Sequence, residues 1–195
     1  MTRLFLVGFM GSGKTTVGRL LAEKLGYAFL DLDELIQQQA GLSIPEIFAR
    51  MGEGAFREME SRALRALEAW EDVVVALGGG AFVSEENRRE VRRLGVSVWL
   101  DCPLEVILKR LGETTDRPLY RSPEQMRALL GARLSAYQQA DLRVEAGEVT
   151  PESVADEIIR RLNLRPKQSS ARMREDLFHD AREGVGRGMS ESTSS

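Results

Sequence analysis

The fold of this chain is decided by one stretch near its start, Gly8-Phe9-Met10-Gly11-Ser12-Gly13-Lys14-Thr15. The stretch fits the phosphate-binding pattern in which Gly and four further residues are followed by Gly-Lys and then Ser or Thr. Residues 4–7 before it are an apolar run of strand length, and apolar residues at helical spacing follow it. Strand, glycine-rich loop and helix are the context that the pattern requires, so a chance glycine-rich turn is a poor alternative.

The loop and the helix after it have the chemistry that a nucleoside triphosphate needs. Glycines allow positive φ angles and let backbone N–H groups come close to phosphate oxygens. The helix expected to open near Gly13 adds unpaired N–H groups and the positive end of a dipole. Lys14 can reach the outer phosphates, and the Thr15 hydroxyl can bind Mg²⁺. The sequence therefore predicts a site for a nucleoside triphosphate with Mg²⁺.

Composition narrows the class of protein. With 195 residues, 43% of them hydrophobic, the chain can bury one sizeable core, which favours a single domain. The 27 Lys and Arg against 30 Asp and Glu give a net charge of -3, which argues against a general nucleic-acid-binding protein. We see neither an apolar run of membrane-spanning length nor a signal peptide. Cys102 is the only cysteine, so no disulfide can form within the chain, and we expect a cytoplasmic protein.

Apolar runs of strand length alternate with helical patterns along the chain. The runs cover residues 4–7, 27–30, 73–77, 96–100 and 142–146. Capping boxes predict helix starts at Ser43 and Ser122. Gly52 is expected to separate a short helix from a longer one that reaches Trp70, whose apolar side has Phe56, Met59, Ala63, Leu67 and Trp70. This alternation predicts an α/β fold, in which ligands bind at the carboxyl ends of the strands.

Two carboxylates follow the second predicted strand. Asp31 and Asp33 are two residues apart at its carboxyl end, and side chains at that spacing point to the same side of a strand. We therefore expect both carboxylates to face the crevice that holds the phosphate loop. The alternative for one of them is that it caps the helix expected to begin at Glu34.

The triplet Gly78-Gly79-Gly80 follows the predicted strand over residues 73–77. Three glycines let a ligand approach the backbone closely, and a tight turn from strand to helix would explain them equally well. Arg57 lies near the first turn of the helix after Gly52, and composition alone does not distinguish it from the solvated arginines around it.

Two segments interrupt the regular pattern. Residues 112–121 read as a polar loop between helices, and we place a lid at about residues 112–122. Arg117 in this loop is a candidate to meet phosphate charge on closure, with a solvated loop arginine as the alternative. We expect the domain to cover residues 1–164 and residues 165–195 to form a disordered tail, because the tail is rich in Ser, Gly and mixed charge. The only histidine, His179, lies in that tail.

The chain resembles the shikimate kinase family over about residues 3–163. The resemblance rests on motifs that occur in the family's order: Phe9 to Gly18, Asp31-Leu32-Asp33, Gly41-Leu42-Ser43-Ile44, Ile47-Phe48, Gly52-Glu53, Phe56-Arg57, Gly78-Gly79-Gly80, Arg117-Pro118-Leu119, and Arg133 with Tyr137. It implies a P-loop NTPase of nucleoside-monophosphate-kinase-like fold, with a five-stranded parallel sheet flanked by helices. It also implies ATP-dependent phosphorylation of the 3-hydroxyl of shikimate, a step of chorismate biosynthesis.

The resemblance further implies roles for individual residues. It places ATP at Gly11, Ser12, Gly13, Lys14, Thr15, Thr16 and the lid residue Arg117. It places the shikimate hydroxyls at Asp33 and the shikimate carboxylate at Arg57, Arg133 and the Gly79 backbone. It makes Lys14, Asp31 and Arg117 catalytic, with Asp31 as orienter or base for the attacking hydroxyl. Mg²⁺ would be bound by Thr15, with Asp31 nearby through a water molecule.

Some points stay open at the level of sequence. Some family members have an arginine near adenine after the fifth strand, and residues 145–150 offer none, so Arg110 or backbone groups are the candidates here. A gluconate kinase of the same fold is the alternative enzyme, and a nucleotide-dependent switch without turnover is the alternative class. The Asp31-Leu32-Asp33 and glycine-triplet motifs together favour shikimate. We expect a monomer that acts on small molecules, with no nucleic-acid or membrane partner.

Overall fold

The computed structural model describes residues 2–112 and 122–167. Strands and helices alternate along these residues, and two short 3₁₀ turns, Leu67–Ala69 and Ala81–Val83, flank the third strand. The elements in chain order are β1 (Arg3–Val7), α1 (Lys14–Leu25), β2 (Ala28–Asp31), α2 (Leu32–Ala40), α3 (Ile44–Ala66), β3 (Val73–Ala76), α4 (Glu85–Leu94), β4 (Val96–Asp101), α5 (Leu104–Gly112), α6 (Pro123–Tyr137), β5 (Leu142–Glu145) and α7 (Pro151–Arg161).

The five strands form one parallel sheet in the order β2-β3-β1-β4-β5, which confirms the predicted fold class. The register aligns the ends of three neighbouring strands, because Ala76 of β3 pairs with both Leu6 of β1 and Asp31 of β2. The chain that leaves each of these strands therefore enters the same crevice. The phosphate loop leaves β1, Asp31 ends β2, and the glycine triplet follows β3.

Burial explains why the central strands read as continuous apolar runs. Leu4–Leu6 of β1 and Val73–Val75 of β3 have no exposed surface, as expected for parallel strands with helices on both faces. Helix α1 packs on α7 and on β3, whereas α4 packs on α3 and on β4. Among the described residues, none of the helices has both the length and the apolar character that crossing a membrane would demand.

The predicted helix starts at Ser43 and Ser122 are confirmed, because a complete capping box is present at each. The start of α2 differs from the prediction. The helix begins at Leu32 instead of Glu34, so Asp33 lies in its first turn and not on an extended strand. The physical reason is that the Asp31 carboxylate accepts from the N–H groups of Asp33 (3.1 Å) and Glu34 (3.4 Å), which allows the helix to follow β2 directly.

Gly52 interrupts α3 as predicted, and helical residues resume directly after it. Gly52 has φ 81° and ψ 169°, while the residues on either side of it are helical. The helix ends at Ala66, and the 3₁₀ turn that follows leaves Trp70 43% exposed, although we expected Trp70 on the apolar side of the helix. The Trp70 carbonyl accepts from Arg3 Nε at 2.5 Å, which holds the chain at this exit.

The last described residues extend along the core past the predicted domain end at residue 164. The N–H of Lys167 donates to the Leu25 carbonyl at 2.9 Å, and its ammonium group lies 2.8 Å from Asp72 Oδ2. Asp72 Oδ1 also accepts from the N–H of Thr2 at 2.9 Å. Residues close to both ends of the described chain are thus joined at the loop before β3.

The kink at Gly52 can be tested by Gly52→Ala. The φ and ψ of Gly52 lie in a region that essentially only glycine adopts, and no atom lies within 4 Å of the position of an added Cβ, so the cost is purely one of backbone conformation. We expect the free energy of unfolding in urea to fall by about 1–3 kcal/mol. Gly54→Ala is the matched control, because Gly54 is helical and equally open, and it should raise stability by up to about 1 kcal/mol. Equal effects of the two substitutions would contradict a strained kink.

The contacts of Lys167 can be tested by truncation. A chain that ends at Leu164 loses the backbone bond to Leu25 and the ion pair with Asp72, and we expect its free energy of unfolding to fall by about 1 kcal/mol. A chain that ends at Lys167 keeps both contacts and should unfold at the same urea concentration as the full chain. A loss of stability in that longer chain would show that residues 168–195 contribute to the fold, contrary to the expectation from their composition.

Candidate active site

The loop between β1 and α1 turns tightly into the helix. The N–H of Ser12 donates to the Phe9 carbonyl at 3.2 Å, and α1 begins at Lys14 with Gly13 as its N-cap residue. Gly13 has a positive φ of 93°, as expected for this loop. Among the described residues no side chain caps this helix, and its first turn has no acidic residue. Its N-terminal N–H groups and dipole are therefore left for an anion.

Lys14 is folded over the loop. Its ammonium nitrogen lies 2.9 Å from the carbonyl oxygens of both Gly8 and Phe9. The charge is thus held above the loop beside the N-terminus of α1. A phosphate bound by the loop would meet this ammonium group without any large movement of the backbone.

Thr15 and Asp31 join the loop to the end of β2. The Thr15 hydroxyl donates to Asp31 Oδ2 at 2.9 Å, while Asp31 Oδ1 caps α2. One oxygen of Asp31 thus caps α2, the alternative that the sequence offered for one of the two carboxylates, while the other oxygen faces the phosphate loop. A hydroxyl and a carboxylate held this close are hard oxygen ligands of the kind that Mg²⁺ prefers. Thr16, the next predicted nucleotide-binding residue, is exposed on the first turn of α1.

Asp33 presents an unsatisfied oxygen to the crevice. Its Oδ1 atom is buried and accepts no hydrogen bond from any residue that the structure describes. A Cβ added to Gly78 would lie 2.5 Å from this oxygen, so the carboxylate faces the glycine triplet. Burial raises the pKa of Asp33, the nearby Asp31 charge raises it further, and the charges of Lys14 and Arg57 oppose this rise. An unpaired acceptor in such a place can bind a hydroxyl group of a ligand.

Arg57 is oriented by two glutamates of its own helix. Its Nη1 donates to Glu60 Oε2 at 2.6 Å, and its Nη2 donates to Glu53 Oε1 at 2.9 Å. The guanidinium group also lies against Gly80, where an added Cβ would come within 2.5 Å of Nη1. This contact explains one glycine of the triplet, because any side chain there would displace Arg57.

Glu60 is a site residue that the sequence analysis missed. It is only 1% exposed, and burial raises its pKa, while the hydrogen bond and charge of Arg57 oppose that rise. A signal was present in the sequence, because Glu60 lies one turn after Phe56 on the predicted apolar side of the helix. A charged residue in that position is either paired or functional.

Arg133 approaches the triplet from α6. Its guanidinium carbon lies 5.8 Å from the centre of the Phe9 ring, and a Cβ added to Gly79 would lie 3.1 Å from its Nη1. On the next turn of α6, the Tyr137 hydroxyl donates to the Gly79 carbonyl at 2.5 Å. The phosphate loop, the triplet and α6 thus meet at one point.

Taken together, the residues form two adjoining sites. One consists of the loop, Lys14, Thr15 and Asp31, and it suits phosphates and a metal ion. The other contains Asp33, Arg57 and Arg133 around the glycine triplet, and it suits a small ligand with hydroxyls and an anionic group. The structure therefore brings the predicted residues of the loop close to Asp31, Asp33, Arg57, Gly79 and Arg133, while Thr16 is exposed on the first turn of α1.

Arg110 connects the loop with the segment after β5. Its Nη2 donates to the Gly147 carbonyl at 2.7 Å and to the Ala146 carbonyl at 3.3 Å, and its Nη1 reaches the Gly11 carbonyl at 3.5 Å. Arg110 therefore lies between the phosphate loop and the segment after β5, and that segment is where the sequence led us to look for a base contact. Arg117 and the central part of the predicted lid lie outside the described residues.

Comparison with known proteins agrees with this geometry. A family model described as shikimate kinase matches residues 10–163. A shikimate kinase of Geobacter sulfurreducens is 51% identical over 156 residues, which cover 78% of this chain and 86% of the relative. The solved structure of the Acinetobacter baumannii shikimate kinase in complex with shikimate is 38% identical, with a TM-score of 0.77, covering 83% of this chain and 93% of that one.

The gluconate kinase alternative finds support only at the level of fold. A gluconokinase structure from Sinorhizobium meliloti has a TM-score of 0.57 and covers 92% of this chain and 97% of its own, at 16% identity. This similarity shows the shared architecture and carries no information on substrate.

The raised pKa of Asp33 predicts that its ionised carboxylate lowers the stability of the fold at neutral pH. Because the folded state binds the Asp33 proton more tightly than the unfolded state, stability from this group is present below its ordinary pKa of 3.8 and is lost as pH rises through the folded value. Asp33→Asn removes that ionisation, so at pH 7 the variant should have a higher free energy of unfolding than the wild type, and the gain should shrink towards pH 4. Urea unfolding across this range measures it. Glu34→Gln is the control, because Glu34 is an exposed neighbour whose ion pair with Arg19 spans 3.6 Å. This substitution should change the free energy of unfolding little. A gain that does not depend on pH would contradict this account.

Proposed function

The chain belongs to the shikimate kinase family, and we propose which of its residues perform each part of the reaction. The enzyme transfers a phosphoryl group from ATP to the 3-hydroxyl of shikimate. The products are shikimate 3-phosphate and ADP, and the reaction is a step of chorismate biosynthesis. Phosphoryl transfer needs mainly positioning of the two substrates and neutralisation of charge. The two adjoining sites described above divide these tasks between them.

ATP binds at the phosphate loop. The N–H groups of Gly11, Ser12 and Gly13 and the N-terminus of α1 hold the phosphates, with Thr15 and Thr16 in the first turn of the helix. Lys14 exchanges its two carbonyl partners in the loop for the outer phosphates, a change that its present position supports. Arg110, beside Gly11 and the segment after β5, is our candidate for the contact with adenine.

Thr15 would hold Mg²⁺, and Asp31 would contribute to the same site through a water molecule. The fit rests on the 2.9 Å contact between the Thr15 hydroxyl and Asp31 Oδ2, which puts two hard oxygen atoms at the edge of the loop. When bound, such an ion neutralises phosphate charge. The described residues contain no cluster of three or more acidic, His or Cys ligands. In proteins, Mg²⁺ usually keeps several waters and is bound by one or two carboxylates together with substrate phosphates.

Shikimate binds at the glycine triplet. The observation that carries this assignment is that Arg57 and Arg133 reach the triplet at neighbouring glycines, with the unpaired Asp33 oxygen beside Gly78. Two guanidinium groups suit the shikimate carboxylate, with a contribution from the Gly79 backbone. Asp33 accepts hydrogen bonds from the shikimate hydroxyls.

The transfer step needs an oriented hydroxyl and a compensated transition state. Asp31 lies between the loop and Asp33, so it is placed to orient the attacking hydroxyl or to accept its proton. Lys14 and the lid residue Arg117 neutralise the charge that develops on the transferred group. In this assignment the lid at about residues 112–122 closes over ATP when both substrates are bound.

The enzyme works as a monomer in the cytoplasm. All residues that we assign to the two substrates belong to one chain, so a second subunit is not needed to complete the site. ATP is supplied inside the cell, which supports a cytoplasmic location. The domain of residues 1–164 contains both sites, and we assign no catalytic role to the tail of residues 165–195.

The shikimate site can be tested with Arg133→Ala in a coupled ADP-release assay. Loss of a charged hydrogen-bond donor to the carboxylate should raise the KM for shikimate about 10- to 100-fold, while the KM for ATP should change less than threefold. Arg127→Ala is the matched control, because Arg127 is exposed on the same helix, and it should leave both KM values unchanged.

The same assay distinguishes the alternatives. ADP release should depend on shikimate and on Mg²⁺, and gluconate should not replace shikimate. An Arg133→Ala enzyme that loses affinity for ATP alone would show that the two substrates were assigned to the wrong sites. Equal ADP release with and without acceptor would instead indicate a nucleotide hydrolase.

A further inference from the structure

The chain from Gly78 to Val83 is held by hydrogen bonds to each of its carbonyl groups. The donors come from the segment itself, from α6 and from α4. Ala81 N–H donates to Gly78 (3.0 Å), Tyr137 Oη to Gly79 (2.5 Å), Val83 N–H to Gly80 (3.1 Å), Asn87 Nδ2 to Ala81 (3.0 Å), and Arg88 Nη1 to both Phe82 (3.0 Å) and Val83 (2.6 Å).

Ala81 and Val83 use their N–H groups within the segment, whereas two N–H groups of the triplet make no such bond among the described residues. Those of Gly79 and Gly80 donate to no group in the part of the chain that the structure describes. A peptide unit is planar, so holding its carbonyl oxygen also fixes the direction of its N–H. The bond to Gly78 therefore fixes the Gly79 N–H, and the bond to Gly79 fixes the Gly80 N–H. Two oriented and unpaired donors result, between Arg57 and Arg133.

Tyr137 holds this segment from the side of α6. Its side chain is fully buried, and only its hydroxyl reaches the triplet. Burial raises the pKa of Tyr137, although the charge of Arg133 opposes the rise, so the hydroxyl stays protonated and keeps donating at neutral pH. Because Arg133 lies four residues earlier, the two side chains are neighbours on the helix. One helical face thus supplies both an anion-binding guanidinium and the group that orients Gly79.

Asn87 holds the segment from the side of α4. Its amide is 3% exposed, its Oδ1 accepts from the Ser61 hydroxyl at 2.7 Å, and its Nδ2 donates to Ala81. Ser61 follows Arg57 by one turn of α3, so this short relay joins α3, α4 and the segment. Asn87 holds the Ala81 carbonyl, while the N–H of the same residue donates to Gly78, so its effect on the Gly79 N–H passes through the backbone of Ala81.

We propose that Tyr137 and Asn87 are positioning residues for shikimate, which hold the backbone from Gly78 to Ala81 so that its N–H groups face the substrate carboxylate. Neither residue touches the substrate in this arrangement. The inference rests on the proposed function, because it takes the triplet as the carboxylate site. It predicts that loss of either residue weakens the binding of shikimate selectively, without the same effect on ATP.

The test compares Tyr137→Phe and Asn87→Leu with the wild type by steady-state kinetics on the full chain. Tyr137→Phe removes the bond to the Gly79 carbonyl and also a contact with Arg133, whereas Asn87→Leu removes the bond to the Ala81 carbonyl and isolates the effect of the backbone. We expect the KM for shikimate to rise about fivefold in each variant. The KM for ATP and kcat should stay within twofold. If Asn87→Leu fails to fold, Ser61→Ala replaces it as the test. This variant loosens the Asn87 amide but leaves its bond to the Ala81 carbonyl in place, so we expect the KM for shikimate to rise about twofold.

Ser97→Ala is the matched control for a merely structural effect. Ser97 is fully buried, as Tyr137 is, but its hydroxyl donates to Asp141 Oδ2 at 2.6 Å, on the side of its strand away from the triplet. The variant should lower the midpoint of urea unfolding without raising the KM for shikimate. A similar rise in the KM for shikimate in this control, or a parallel rise for ATP in the Tyr137 and Asn87 variants, would overturn the inference.

A shikimate analogue with a hydroxymethyl group in place of the carboxylate separates the inference from the proposed function. The wild type should bind this analogue at least tenfold more weakly than shikimate, and a wild type that does not discriminate would refute the carboxylate site itself. On the analogue, the penalty of Tyr137→Phe should fall from about fivefold to less than twofold. A wild type that discriminates, combined with an undiminished penalty, would refute the positioning role alone.

Discussion

The parallel pairing of β3 with both β1 and β2 is the constraint on which the site depends. Its register aligns Leu6, Ala76 and Asp31, so three chain segments leave the sheet side by side. The phosphate loop, the capping carboxylate and the glycine triplet are far apart along the chain and become neighbours for this reason alone. Backbone hydrogen bonds between buried strands hold this alignment, and the side chains of the site add to it only locally.

The crevice brings together charged groups from both of the adjoining sites. The acidic members are Asp31, Asp33 and Glu60, and the basic members are Lys14, Arg57 and Arg133. Within this group the pairing of Arg57 with Glu60 is direct, whereas one oxygen of Asp33 has no donor among the described residues. An unpaired buried oxygen costs stability and is kept where a ligand supplies the missing donor. Stability and binding are therefore in conflict at Asp33, as its raised pKa also indicates.

Two helices next to the triplet supply the groups that the strands cannot. Helix α3 brings Arg57 to the triplet and α6 brings Arg133, and each arginine lies against a different glycine. The same helices hold the triplet, since Tyr137 belongs to α6 and Ser61 on α3 bonds to Asn87. Binding groups and supporting groups thus lie one helical turn apart, so a shift of either helix would move both together.

Sequence alone determined what depends on near neighbours along the chain. The phosphate loop, the strands, the capping boxes and the break at Gly52 follow from local patterns, and the ordered motifs pointed to Asp33, Arg57, Gly79 and Arg133 through a family resemblance. The start of α2 was placed two residues late, because the competition between strand and cap at Asp31 is decided by the position of its carboxylate. Only the tertiary structure revealed the contacts of Glu60, Asn87 and Tyr137. The Tyr137 hydroxyl meets a carbonyl 58 residues earlier in the chain, and no local propensity encodes a contact at such a separation, because it forms only when the sheet and helices pack.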